Sequence, residues 1–389
     1  MIPYAKHHIN NDDIKAVIRS LKSEYLTQGP EVKLFENDLK KKVNSKFATV
    51  VNSCTSALHI SCLALNLKKN DYLWTTPISF VASANCALYC GAKIDFVDIS
   101  LEDYNIDIDQ LTIKLEESKK KKKLPKILVV VHLAGISCDM KRIFDLSKKY
   151  NFKIIEDGCH AFAGTYRKFK IGSCRFSHIT TFSFHAIKNI TSGEGGAVLT
   201  NDSLIANKLD LYRNHGITKQ KKFFKNKNKE ILPTHYEQIA LGYNYRLTDF
   251  QAALARSQLK RTKKIMKERK FIHNFYLKKL LNLPLKLPTI REYNDSGYHL
   301  FIARLDKKKT KKTRLQLVNY LLKKNILLGF HYIPIFTHPY YQKFKLNINQ
   351  FPNTKIFSNT AVSLPIYNGL NKHQLEYIVR SIKNFFKND

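Results

Sequence analysis

The sequence predicts an α/β fold, a mostly parallel seven-stranded sheet flanked by helices, with a smaller α+β part behind it. Three observations carry that expectation. Short β-rich runs alternate with longer helical patterns from about residue 48 to 215. The run Ile127 to Val131 is apolar at every position, as strands covered by helices on both faces are. Beyond Pro284 and Pro288 the order becomes strand, helix, strand, helix, which is a different architecture.

The elements follow in chain order. Two helices, Asp12 to Lys22 and Glu31 to Lys42, precede the first strand. The strands are Ala48 to Val51, Tyr72 to Thr75, Ile94 to Val97, Ile127 to Val131, Lys153 to Ile155, Ile179 to Phe184 and Gly196 to Leu199. Helical patterns separate them at Thr55 to Leu65, Ser79 to Cys90, Asp107 to Glu116, Met140 to Lys149 and Asp202 to Asn214. A long helical pattern from Thr248 past Tyr276 reads as a connector. Strand-like Tyr298 to Leu305, a helix near Arg314 to Lys324, strand-like Leu327 to Tyr332 and a helix Lys372 to Phe386 then complete the chain. The expected division is a large part, 1–250, and a connector with a smaller part, 251–389.

With 389 residues, 44% hydrophobic and 12% aromatic, the chain falls outside disordered and fibrous classes. No apolar run approaches the roughly 18 residues a membrane span needs. Met1 to Asn11 lacks a signal-peptide pattern, so a cytoplasmic protein with no membrane partner is expected. The seven cysteines are an odd number, without a C-x-x-C pair, so disulfides are not expected. Cys86 and Cys90 stand one helical turn apart but have no second matching pair, and no metal centre is expected.

The 66 basic against 31 acidic residues give a net charge of +35, which raises nucleic-acid binding as a hypothesis. The lysines concentrate in Lys119 to Lys123, Lys219 to Lys229 and Lys307 to Arg314, beside periodic segments and among Asn, Ser and Thr. They read as exposed loops and helix ends. With no zinc-finger spacing, ribonucleoprotein motif or basic recognition helix, no nucleic-acid partner is expected.

Four places can hold chemistry. Asn52-Ser53-Cys54-Thr55-Ser56 follows a strand and opens a helix, where free amides and the positive helix end suit a phosphate. Ile154-Ile155-Glu156-Asp157-Gly158-Cys159-His160 ends an apolar strand in two acids; ligands of parallel sheets bind at that end, and Asp157 is the better placed. In Ser183-Phe184-His185-Ala186-Ile187-Lys188, a lone lysine among apolar neighbours precedes Gly193-Glu194-Gly195-Gly196. Burial makes such an amine nucleophilic. Gly242-Tyr243-Asn244-Tyr245-Arg246 is polar and aromatic, just ahead of the connector.

Taken together these motifs resemble the sugar aminotransferases, a fold-type I family dependent on pyridoxal 5'-phosphate (PLP). The likeness runs from Leu26-Thr27-Gln28-Gly29-Pro30, through Thr76-Pro77-Ile78-Ser79-Phe80, to Ser363-Leu364-Pro365-Ile366. It implies a fold-type I PLP-dependent transferase with PLP bound covalently to Lys188 as a Schiff base, and Lys188 as the group that moves the proton. It further implies that Asp157 pairs with the pyridinium nitrogen, that His160 supports it, and that Phe80 stacks on the ring. Cys54, Thr55, Ser56 and Ser183 would hold the phosphate, and Asn244 would reach it from the other subunit of a homodimer. Tyr4, Glu24, Tyr25, Leu26 and Thr27, with His331, Tyr332, Ile333 and Pro334, would line the sugar-nucleotide site. Cys54 stands where many relatives carry Gly or Ala, and Cys159 where Ala is commoner.

Within the family the likeness is to the subgroup of pseudaminic acid biosynthesis. That implies L-glutamate as amino donor and, as acceptor, C4 of a UDP-linked 4-keto-6-deoxy-N-acetylhexosamine. A GDP- or dTDP-linked keto sugar stands as the alternative substrate, and a basic nucleic-acid-binding regulatory protein as the alternative of another class.

Overall fold

The computed structural model describes residues 1–224, 232, 234–292 and 294–387. Helices α1 (Asn11–Leu21) and α2 (Pro30–Val43) lead into β1 (Phe47–Val51) and α3 (Cys54–Ala64). Then follow β2 (Tyr72–Thr75), α4 (Ala82–Tyr89), β3 (Lys93–Phe96), α5 (Ile108–Lys120), β4 (Ile127–Val131), α6 (Met140–Tyr150) and β5 (Lys153–Asp157). A small hairpin, β6 (Thr165–Tyr166) and β7 (Phe169–Lys170), precedes β8 (Ile179–Ser183), β9 (Gly196–Thr200) and α7 (Ser203–Arg213). Most helices begin where the sequence supplies a cap: Asn10, Ser53, Asp107, Asp139 and Asp202 each accept a hydrogen bond from an amide of the first turn.

The sheet order is β1-β9-β8-β5-β4-β2-β3. Neighbours from β8 through β3 pair in parallel, while β9 runs antiparallel to both β8 and β1. β4, β8 and β9 are buried at every residue, because both faces of the sheet carry a core. Phe35, Leu128, Ile154 and Phe182 belong to one core; Leu58, Val129, Ile155 and Val198 belong to the other. Alternate residues of each strand thus serve opposite faces.

After the short pair β10 (Ile217–Thr218) and β11 (Glu237–Gln238), the expected single connector is two helices, α8 (Asp249–Lys260) and α9 (Thr262–Leu280), separated at Arg261. α8 packs against α1 and α2. Asp249 ties it down, its carboxylate accepting from the amides of Gly29 and Glu31. The chain continues through β12 (Leu285–Lys286), β13 (Phe301–Leu305), α10 (Arg314–Lys323), α11 (Pro352–Thr360), β14 (Ala361–Leu364) and α12 (Lys372–Phe386). β12, β13 and β14 form an antiparallel sheet whose core includes Tyr276, Phe301, Leu321 and Ile378.

Ile2 joins that C-terminal core, bridging to Ile326, and so brings the start of the chain beside its end. The expected strand Leu327 to Tyr332 is instead irregular: Gly329 makes one bridge to Ser363, and the chain then turns inward. Lys119 to Lys123 lies at the exposed end of α5, and Lys307 to Lys309 is exposed after β13. Of the basic run from 219 to 229, Lys219, Lys221 and Lys222 are exposed, and the part from 225 onward lies outside the described residues. No described helix is long and apolar enough to cross a membrane.

Candidate active site

The carboxyl ends of β4, β5 and β8 open into a cavity of about 470 Å³, closed on one side by the start of α3 and on another by the residues around His331. Such an edge is where parallel sheets bind ligands. β5 ends in Glu156 and Asp157, and strand alternation sends them to opposite faces. Glu156 bonds to His132 and Thr180 within the structure, whereas Asp157 lines the cavity. Asp157 Oδ2 accepts from Ser83 Oγ at 2.8 Å, and Oδ1 accepts from the Cys159 amide at 3.2 Å. Ser83 Oγ also pairs with Ser79 Oγ at 2.7 Å.

Lys188 reaches the cavity from the excursion between β8 and β9. Those strands are antiparallel neighbours, so the loop must return on itself, and the Phe184 amide closes it by donating to the Gly195 carbonyl at 2.8 Å. Asn189 pins the next position, its Nδ2 donating to the Gly297 carbonyl at 2.6 Å. Burial lowers the Lys188 amine below the usual lysine range, against the opposing pull of Cys159, Asp157 and Cys54. An amine shifted in this direction, in one cavity with a fixed carboxylate, is a group able to attack a carbonyl or carry a proton.

The start of α3 supplies the anion end. Ser53 caps the helix, its Oγ accepting from the Ser56 amide at 3.1 Å. The amides of the helix's first turn have no carbonyl four residues back to bond, and they carry the positive end of the dipole. Gly196 allows the approach, since a Cβ there would stand 2.5 Å from the Ser53 carbonyl oxygen.

Of the expected site residues, Tyr4, Cys54, Thr55, Phe80, Asp157, His160, Ser183, Lys188, His331 and Tyr332 all line this cavity. Ser56 stands just behind the wall, donating to Asn52 Oδ1 at 2.6 Å. Ile333 lies in an adjoining groove with Phe80 and Tyr332, and Pro334 begins the short turn beyond it. Glu24, Tyr25, Leu26, Thr27 and Asn244 are exposed and stand outside the cavity.

Sequence reasoning missed Ser83, Ser79 and His299. The serine pair had a faint signal, two hydroxyls four apart at a helix start; His299 had none. The His299 ring packs on His160 with centroids 4.5 Å apart, and His160 Nε2 pairs with Tyr332 Oη at 3.1 Å. Burial, with Lys188 close by, holds both histidines well below the usual imidazole range and His331 at about 4. The amine is therefore ringed by neutral imidazoles at physiological pH.

An α/β sheet that presents a desolvated lysine, a fixed aspartate and a helix N-terminus at its carboxyl edge defines a transferase site of the PLP-dependent kind. Residues 7–383 match the model of the DegT/DnrJ/EryC1/StrS aminotransferase family, and the chain belongs to that family. It is 35% identical over 379 residues to UDP-4-amino-4,6-dideoxy-N-acetyl-beta-L-altrosamine transaminase of Campylobacter jejuni, covering 97% of this chain and 96% of the relative. Among solved structures it resembles Helicobacter pylori PseC, an aminotransferase involved in the biosynthesis of pseudoaminic acid, at 32% identity, TM-score 0.88 and 99% coverage of both chains. It also resembles the PMP-form of the putative sugar aminotransferase Spr1654 from Streptococcus pneumoniae, at 25% identity, TM-score 0.88 and 99% coverage of both. The chain is thus a PLP-dependent sugar aminotransferase in class.

Proposed function

We propose that the cavity holds PLP on Lys188 and that the enzyme moves an amino group from L-glutamate to C4 of a UDP-linked 4-keto-6-deoxy-N-acetylhexosamine. The carrying observation is Lys188, lowered by burial and facing Asp157 in one cavity. The residues fit the cofactor. The α3 start with Thr55 and Ser183 suits the phosphate, and His160 Nδ1 is a buried polar atom without a partner among the described residues.

Each side chain then has a task. Lys188 Nζ would hold the cofactor through a Schiff-base linkage and, once released, would carry the proton between the α-carbon of the amino donor and the C4′ carbon of the cofactor. PLP supplies an electron sink for the pair left behind when that proton is removed. Asp157, held by Ser83 and the Cys159 amide, would keep the ring nitrogen protonated. Phe80 would cover one ring face, and His160 with Tyr332 would bound the ring edge. The nucleotide sugar would enter past Tyr4, His331, Tyr332, Ile333 and Pro334.

The same reading makes the enzyme a cytoplasmic homodimer, with the large part ending near residue 250. Ile14, Ile18 and Leu21 on α1, and Tyr25, Leu26 and Leu241 beyond it, are exposed apolar side chains that a second subunit would cover. Across such an interface the 24–27 segment and Asn244 would complete the partner's site, which accounts for their position outside the cavity of their own chain. Seven free thiols suit a reducing compartment. The substrate assignment is supported by the names of the relatives in Campylobacter and Helicobacter.

The test is the absorption spectrum of purified protein before and after borohydride, with peptide mapping of the reduced adduct. A visible band trapped on Lys188, absent in Lys188→Ala, is the expected result; colourless protein that takes up no PLP would sink the reading. Turnover of UDP-, GDP- and dTDP-linked keto sugars with glutamate then decides the substrate. Ping-pong kinetics are expected.

A further inference from the structure

Two sulfurs meet at the inner end of the cavity. Cys54 is the first residue of α3 and Cys159 lies two residues past Asp157, 105 positions away in the chain, yet their Sγ atoms are 2.9 Å apart, Cys159 donating to Cys54. Both are partly exposed, and both line the cavity, so a small oxidant that enters it reaches them. A disulfide bond is about 2.05 Å long, so the sulfurs need to close by less than about 1 Å to be joined. The transamination chemistry uses neither thiol.

We propose that Cys54 and Cys159 are an oxidisable pair that closes to a disulfide inside the cofactor cavity and prevents the cofactor from loading. The first half rests on the sulfur geometry alone; the second rests on the functional reading above. With hydrogen peroxide as oxidant, one thiol attacks a peroxide oxygen, the O–O bond breaks, and a sulfenic acid and water result. The second thiol then displaces hydroxide from the sulfenic sulfur, the S–S bond forms, and a second water leaves. Two thiols are oxidised by two electrons, and one peroxide is reduced to two waters. The second thiol sheds its proton in that step, and Lys188, which lines the same cavity and is lowered by burial, is the amine placed to take it.

The bond would join the two walls that the cofactor has to part. One is the α3 start, which presents its amides to a phosphate. The other is the turn that fixes Asp157 through the Cys159 amide. A cross-link between them ties the two walls together at the sulfurs.

The full chain, stripped of cofactor and fully reduced, is treated with an equivalent of hydrogen peroxide and digested without reductant. Expected is a Cys54–Cys159 linked peptide, a fall in free thiols from seven to five, and uptake of added PLP weakened by at least about tenfold. Dithiothreitol should restore both thiols and uptake, and protein loaded with PLP beforehand should keep all its thiols. Cys54→Ala and Cys159→Ala should each form no linked peptide. Sulfinic acid without a cross-link, unchanged thiols, or a bond among Cys62, Cys86 and Cys90 would overturn the pair. A cross-linked chain that takes up PLP like the reduced one would overturn the block. Reduced protein that takes up no PLP would instead overturn the functional reading and the block with it, while the peptide map still decides the pair.

Discussion

Asp157 keeps its aim through a hydroxyl that the sequence did not advertise. Ser83 donates to Oδ2 at 2.8 Å, inside a region where both residues are buried. A hydrogen bond to a buried charged group contributes about 1.5–3 kcal/mol. Ser83→Ala leaves the carboxyl group in place but freer to turn, so kcat should fall about tenfold while the KM for the sugar nucleotide moves by no more than about twofold. Steady-state kinetics check the split, and the visible circular dichroism of bound PLP should change with kcat. An unaltered kcat would remove Ser83 from the positioning of Asp157. At this scale the residues with a chemical reason of their own were legible in the sequence. Asp157 stands at a strand end, Lys188 is isolated among apolar side chains, and Thr55 opens a helix. Ser83 and His299 act only through residues distant in the chain, and no local pattern can place them.

At the scale of elements, the cradle depends on how near α3 can come to β9. The expected Gly193-Glu194-Gly195-Gly196 turn is present, and the close approach falls at its last residue. A Cβ on Gly196 would stand 2.5 Å from the Ser53 carbonyl oxygen and 2.7 Å from the Cys54 nitrogen. These are backbone atoms that cannot swing aside, so Gly196→Ala has to push the helix start away from the strand. Overpacking of this kind typically costs about 1–3 kcal/mol. PLP affinity should fall along with the denaturant midpoint, and a Gly196→Ala protein with wild-type PLP affinity would show that the helix start is not part of the cradle. The regular elements were readable because period and caps agree: Tyr72 to Thr75, Ile127 to Val131 and Lys372 to Phe386 fall where expected. Leu327 to Tyr332 misled because apolar residues that close a cavity look like residues of a strand. The break at Arg261 was hidden because the helical period runs on through it.

Across the whole molecule, five histidines, three buried and two half-buried, set a response to acid. Burial lowers His178, His273 and His331 from 6.5 to about 4, and holds His160 and His299 well below their usual range. Between those limits the unfolded chain binds protons that the folded chain refuses, so unfolding is favoured as pH falls. The stability these groups contribute is fully present above about 6.5 and is lost progressively toward pH 4, at up to about 1.4 kcal/mol per pH unit for each. The net charge of +35 adds self-repulsion in the same direction. Salt separates the two causes, since surface repulsion is screened and proton uptake by a buried ring on unfolding is not. Urea denaturation at a series of pH values should therefore show a decline below pH 6.5 that persists in high salt. His273 lies on α9 against Tyr298 and Phe301, so His273→Gln removes one of the five. Its stability profile should be flatter by about 1.4 kcal/mol per pH unit in this window. A slope identical to that of the unsubstituted protein would mean that His273 does not contribute to the acid response.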